Sequence, residues 1–153
     1  MKILLVEDDP FQTEVVRHVL EDDHLVNTAC TLDLAKSFLD SEHYDVVLLD
    51  LGLPDSVGID TVRALTHYEI PLVVMTGDDR YETVDGAMKA GARDFLSKSK
   101  LTTAKILGAI HGVHTERTRT KKLTDGVKRV MDSLERFTER TKTLAHATDN
   151  INT

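Results

Sequence analysis

Hydrophobic positions along this chain follow two different rhythms. Residues 2–6 read Lys-Ile-Leu-Leu-Val, a short and nearly continuous apolar run that stops at Glu7-Asp8-Asp9. Val46-Val47-Leu48-Leu49 is a second such run, stopping at Asp50, and Pro71 to Met75 is a third, stopping at Thr76-Gly77. Leu25 to Ala29 and the pair Phe95-Leu96 are weaker versions of the same signal. Continuous apolar runs of this length suit strands buried on both faces. Between them the spacing becomes helical: Phe11, Val15, Val16, Val19 and Leu20; then Leu34, Ala35, Phe38 and Leu39; then Val62 and Leu65; then Val84, Ala87, Met88 and Ala90.

Punctuation residues sharpen these boundaries. Asp9-Pro10 reads as a helix cap followed by a first helical residue, and Thr31 can cap the second helix. Gly91 sits where a helix C-terminus needs a residue of positive φ. Leu53 to Gly58 reads as a loop. Another helix is predicted from about Leu101 or Thr102, and nothing convincing stops it. Five strands alternating with helices imply right-handed crossovers and a doubly wound, five-stranded parallel α/β sheet. In such a sheet the carboxyl ends of the strands share one edge, where ligands bind.

Composition adds the setting. The chain has 153 residues, no Trp and a single Cys, so it can form no intrachain disulfide. No apolar run approaches a membrane span, and the N-terminal one is too short for a signal-peptide core, so a soluble, cytoplasmic protein without a membrane partner is expected. Cys30 is expected to be an inert buried thiol. The seven His show no metal-ligand spacing, and His111 and His114 are expected on a helix surface. Charge is uneven: Met1 to Val113 holds 10 Lys+Arg against 20 Asp+Glu, and the remainder holds 9 against 6. The acidic body argues against nucleic-acid binding there.

The strand ends carry the candidate chemistry. Glu7 and Asp8 follow the first strand, Asp50 the third, Thr76 the fourth and Lys98 the fifth. Three carboxylates in one small space repel each other and invite a hard cation such as Mg²⁺. A carboxylate beside that ion can accept a phosphoryl group, a Lys can pair one of its oxygens and a Thr hydroxyl can donate to another. Gly77 leaves room beside the site. Each residue also has a plainer reading: Asp50 as a turn cap, Asp9 as a helix cap, Thr76-Gly77 as turn chemistry, Lys98 as a surface Lys and Phe95 as core.

In this order and at these spacings, the segments Leu-Leu-Val-Glu-Asp-Asp (4–9), Val-Val-Leu-Leu-Asp-Leu-Gly-Leu-Pro-Asp-Ser-Val-Gly (46–58), Val-Val-Met-Thr-Gly (73–77) and Gly-Ala-Arg-Asp-Phe-Leu-Ser-Lys (91–98) are specific. The chain resembles the receiver domains of two-component response regulators over roughly residues 1–115. The resemblance implies a flavodoxin-like receiver fold and a phospho-accepting signalling switch, not a conventional enzyme. It implies Asp50 as phosphoacceptor, Asp8 as direct Mg²⁺ ligand, Glu7 acting through water and the Gly52 carbonyl completing the protein ligands. Thr76 and Lys98 would contact the phosphoryl group, and Thr76 and Phe95 would form the switch. Gly52 and Asp78, two residues beyond Asp50 and Thr76, fall where the family tunes loss of the phosphoryl group to water. The donor would be a sensor histidine kinase or a histidine phosphotransfer protein. One departure stands out: the family's Lys is usually followed by Pro through a cis bond, and here Ser99 follows Lys98. A cis bond to a non-proline residue costs about 3 kcal/mol, so the loop either keeps that bond or takes another path.

Two other functional classes remain open on sequence grounds. An aspartyl-phosphate hydrolase usually carries an acid two residues after its nucleophile, where this chain has Gly52. A receiver scaffold that works without phosphorylation would not need the complete acid set.

Residues 116–153 form a separate helical extension. Leu123, Val127, Val130, Leu134, Phe137, Thr141, Leu144, Thr148 and Ile151 are spaced alternately by four and three, a heptad repeat. Val127, Leu134, Thr141 and Thr148 take a positions, and the others take d positions. A homodimeric coiled coil through residues 123–151, an amphipathic helix docking on its own body or on a partner, and a linker to a further module all fit this pattern. Lys121, Lys122, Lys128 and Arg129 could form a basic arm, but the remaining length does not comfortably hold a helix-turn-helix unit.

Overall fold

A computed structural model describes residues 1–151. The order is β1 (Lys2–Val6), α1 (Pro10–Leu20), β2 (Leu25–Ala29), α2 (Leu32–Ser41), β3 (Val46–Asp50), β4 (Gly52–Leu53), β5 (Ser56–Val57), α3 (Ile59–Leu65), β6 (Leu72–Thr76), α4 (Tyr81–Ala90), β7 (Asp94–Ser97) and α5 (Thr103–Ile151). The main sheet is parallel, in the order β2-β1-β3-β6-β7. β4 and β5 form a small antiparallel hairpin that begins one residue before, and otherwise lies within, the segment that reads as a loop in the sequence. The chain divides into two compact units, residues 1–115 and the segment from Glu116 on.

The strand pattern has a direct packing cause. Every residue of β3 and β6 is buried, as expected for central strands covered on both faces. Side chains alternate between two cores. Leu4, Val6, Val47, Leu49 and Val74 pack with Leu32, Ala35 and Leu39 of α2, Val62 and Leu65 of α3, and Ala87 of α4. Ile3, Leu5, Val46, Leu48, Val73 and Met75 pack with Val16 and Leu20 of α1 and with Ile106, Ala109, Ile110 and Val113 of α5. The result is a three-layer, doubly wound fold, and truncating Leu48 or Leu49 to Ala would cost about 2–5 kcal/mol.

The caps explain where the helices begin. The Asp9 carboxylate accepts from Phe11 N–H at 2.9 Å, and the Thr31 hydroxyl accepts from Leu34 N–H at 3.1 Å. Asp55, remote in sequence, also accepts from the N–H groups of Leu32 and Asp33 at 2.8 and 3.0 Å, so the hairpin segment is tied to the start of α2. Those donors hold the Asp55 carboxyl below its ordinary pKa. Thr102 accepts from Lys105 N–H at 3.2 Å, and α5 starts at Thr103. Gly91 takes φ 124°, and its N–H reaches back to the last turn of α4.

Two expectations change. Cys30 is exposed, because β2 is an edge strand and the chain leaves the sheet after Ala29 to cap α2. His111 is exposed, but His114 is half-buried. The glycines at 108, 112 and 126 do not end α5, which is helical to Ile151. No helix among the described residues is long and apolar enough to cross a membrane.

Candidate functional site

Parallel register brings the strand-end residues together. Val6 lies beside Ala29 and Leu49, Asp50 beside Met75, and Thr76 beside Ser97. Glu7, Asp8, Asp50, Thr76 and Lys98 therefore line one edge of the sheet, in an open cleft of about 690 Å³ that Gly52, Gly77 and Asp78 also border.

Burial differs sharply within the set. Glu7, Asp50 and Thr76 are 3%, 5% and 6% exposed, whereas Asp8 is exposed. Oxygen atoms of Glu7, Asp8 and Asp50 lie within 4.8 Å of one another. The Lys98 ammonium sits 2.7 Å from Glu7 Oε2 and 3.1 Å from Asp50 Oδ1. Glu7 Oε1 accepts from Asp9 N–H at 3.2 Å, and Asp50 Oδ1 accepts from Gly52 N–H at 3.2 Å.

The electrostatics follow from this packing. Burial raises the pKa of the Glu7 carboxyl and the Asp50 charge adds to it, while Lys98 pulls the other way. Lys98 is itself partly desolvated, but the two carboxylates outweigh that and hold its ammonium above the usual value. Three acids against one Lys leave a surplus of negative charge. Glu7 Oε2 is buried and, despite the nearby ammonium, accepts no hydrogen bond of good geometry. An all-oxygen donor set with a surplus negative charge and an under-satisfied buried oxygen fits a hard divalent cation.

Thr76 and Phe95 stand on neighbouring strands. The Thr76 hydroxyl accepts from Asp78 N–H at 3.0 Å and, among the described residues, donates to no protein acceptor. Phe95 is half-buried against the core that contains Ala87 and Ala92. A Cβ at Gly77 would meet nothing within 4 Å, so the space beside Thr76 is open. Asp78 is committed elsewhere: its carboxylate accepts from Arg80 Nε at 2.8 Å, Arg80 Nη2 at 2.7 Å and Thr83 Oγ1 at 2.8 Å, and Arg80 first, then Thr83, drive its pKa far down.

The segment after Lys98 takes the second path open to it. No cis peptide bond occurs among the described residues, and Lys98 to Lys100 form a 3₁₀ turn. Ser97 Oγ donates to Asp79 Oδ2 at 3.2 Å and lies 3.0 Å from Ser99 Oγ, which braces this turn. Of this bracing set only Ser99 gave a signal in the sequence, as the residue standing where the family usually has Pro; Ser97 and Asp79 gave none, because Ser and Asp are common on any surface loop.

Comparison with known proteins gives a consistent result. The family model for the response regulator receiver domain matches residues 3–111. The chain is 33% identical over 101 residues to transcriptional regulatory protein PmrA of Pectobacterium parmentieri, a match covering 64% of this chain and 46% of that protein. The chain spans about half the length of the curated relatives it matches. A CheY-like receiver domain protein from Methanospirillum hungatei JF-1 superposes with a TM-score of 0.71 at 23% identity, covering 78% of this chain and 97% of that one, which bears on the fold. The BeF3-activated DrrB receiver domain superposes with a TM-score of 0.64 at 30% identity, covering 75% of this chain and 97% of that one.

Proposed function

Because the chain belongs to the response regulator receiver family of two-component signalling, we propose that it is a phospho-accepting switch in which Asp50 takes a phosphoryl group from a sensor histidine kinase or a histidine phosphotransfer protein. The observation that carries this reading is the cluster of Glu7, Asp8 and Asp50 closed by the Lys98 ammonium. Asp8, Asp50 and the Gly52 carbonyl would hold Mg²⁺, with Glu7 acting through water. When bound, the ion neutralises oxygens of the group in transfer.

The chain's own atoms have distinct tasks. A carboxylate oxygen of Asp50 attacks phosphorus as the bond to the donor imidazole nitrogen breaks. Gly52 N–H, already on Oδ1, fixes the carboxylate plane. Lys98 moves from pairing Asp50 to pairing a phosphoryl oxygen. Thr76 donates its free hydroxyl proton to another oxygen. Its movement empties space next to β7 that Phe95 turns to fill, carrying the signal to α4, β7 and α5.

The receiver spans residues 1–115, and the extension from 116 carries output through protein–protein contact, including self-association through 123–151. A cytoplasmic location suits a domain that meets a kinase. PmrA's role in transcription does not carry over through a match to 46% of that protein. Gly52 two residues after Asp50 leaves no acid for a hydrolase. Titration with beryllofluoride and Mg²⁺, followed by amide NMR shifts around Thr76 and Phe95, tests the proposal. The expected result is a saturable response in the wild type and none in Asp50→Asn. An equal response in both would overturn it.

A further inference from the structure

The extension presents a face too wide for a two-stranded coiled coil. In α5 the large apolar side chains Leu123, Val127, Val130, Leu134, Phe137 and Leu144 are 55–69% exposed, and no described element covers them. They occupy the a and d positions, which together span only about 60° of a helix at roughly 100° per residue. In two-stranded coiled coils the flanking e and g positions are often Glu and Lys, which select the partner by charge. Here the e positions are Thr124, Met131, Thr138 and Ala145, and the g positions are Gly126, Ser133, Arg140 and Ala147.

Seven of those eight residues are uncharged and all but Met131 and Arg140 are small. The charges sit at b, c and f instead, among them Lys121, Lys122, Asp125, Lys128, Arg129, Asp132, Glu135, Arg136, Glu139 and Lys142. The face that is uncharged apart from Arg140 therefore covers a, d, e and g, about 160° of the circumference. Such a width matches a core-facing bundle helix with two neighbours, whereas a strict a/d seam matches one neighbour. Met131, 53% exposed at an e position, is the large side chain that a two-stranded arrangement would leave in water.

The polar residues on this face are compatible with burial. The hydroxyls of Thr138, Thr141 and Thr148 each donate to the carbonyl four residues earlier, at 3.0 Å, so they need no partner across an interface. Arg140 can lay its stem along the face and keep its guanidinium at the rim.

Building on the self-association reading of the extension, we infer that residues 123–151 assemble with three further copies of this chain into a four-helix bundle. The charge pattern favours copies of the chain over a foreign helix. With Arg140 the single charge among the e and g positions there is little charge code to select another partner, and the same face on each copy is self-complementary under closed symmetry. Area points the same way. Seven apolar side chains each burying on the order of 100 Å² give roughly 700 Å² per helix, near the ~800 Å² per partner of stable interfaces.

Light-scattering mass on the full chain, up to about 100 µM because assembly follows mass action, tests the inference. The expected wild-type mass is four times the 17.1 kDa of one chain. Met131→Lys/Ala145→Glu, which charges only e positions, should fall to one or two chain masses. Leu134→Asp should be monomeric. The beryllofluoride response of each variant checks that residues 1–115 remain folded. A wild type of two or three chain masses overturns the four-helix inference alone, and a monomeric wild type overturns self-association as well. A fourfold mass retained by Met131→Lys/Ala145→Glu also overturns the four-helix inference, because charges at e are tolerated only where e faces water.

Discussion

Replacing Lys98 by Met isolates the ion pair at the centre of the site. The ammonium faces Glu7 Oε2 at 2.7 Å and Asp50 Oδ1 at 3.1 Å, and both carboxylates are almost wholly buried. Each attraction is on the order of 5–6 kcal/mol at an effective dielectric of about 20. Desolvation of the three groups offsets most of that. Removing one partner of a buried pair typically costs about 3–5 kcal/mol, because it leaves charge uncompensated. The Lys98 side chain is 21% exposed, so water screens part of the loss, and about 2–3 kcal/mol is expected. That corresponds to a melting temperature lower by roughly 8–12 °C for a domain of this size. The deficit should depend on pH with a definite sign. Burial already raises the Glu7 pKa above its ordinary 4.5, and loss of Lys98 removes the main opposing pull. An acid whose folded pKa is raised binds its proton more tightly when folded. Stability therefore falls as pH rises from the unfolded value through the folded one. The deficit of Lys98→Met should be largest near pH 8 in chelator and shrink toward pH 5, and millimolar Mg²⁺ should recover part of it. Thermal melts with and without Mg²⁺ across that range measure it. A variant that melts with the wild type near pH 8 without metal, or a deficit independent of pH, would refute the ion-pair account.

Other perturbations read the scaffold. Gly91→Ala places a Cβ 2.7 Å from Thr66 Cγ2 at a φ of 124°, and should lower the unfolding free energy in urea by about 1–3 kcal/mol. Gly108→Ala meets nothing within 4 Å inside α5 and should raise it by up to about 1 kcal/mol; equal effects of the two substitutions would contradict the assigned geometry. Asp55→Ala removes the carboxylate that accepts from Leu32 and Asp33, and should lower the melting temperature by a few degrees at neutral pH. Because the Asp55 pKa is lowered, its contribution is present above the ordinary carboxylate range and is lost as pH falls through the folded value. The gap between wild type and Asp55→Ala should therefore close in strong acid, and a gap that widens there would sink the assignment.

Much of the fold is written in local pattern. Val46 to Leu49 must be buried on both faces, and a run that ends in Asp50 must end at a sheet edge. What depends on distant neighbours is less visible. Cys30 follows a strand whose neighbours on one side are absent, and nothing local tells an edge strand from a central one. Gly52 to Val57 carries loop residues yet closes a two-residue ladder, held by Gly58 N–H on Leu51 O at 2.8 Å. Asp55 looks like a turn residue, and its donors lie more than twenty residues back. The continuity of α5 past three glycines was legible only as the absence of a stop signal.

The site shows the same division most clearly at Glu7-Asp8-Asp9. In sequence these are three similar acids in a row. In the fold, Glu7 N–H bonds Ala29 O at 3.0 Å and so extends the β1 ladder by one residue. Its side chain stays inside the sheet edge, becomes buried and requires the Lys98 ammonium. Asp8 has left the ladder and is exposed, free to offer oxygen to an ion that keeps part of its water. Asp9 has turned far enough to cap α1 through Phe11 N–H, while its own N–H returns to Glu7 Oε1. One residue of register therefore separates a buried counter-charge, an exposed donor and a helix cap. Shifting the run by a single insertion should abolish the Mg²⁺ binding proposed for this edge, read as loss of Mg²⁺-dependent stabilisation in thermal melts, even though the local composition barely changes.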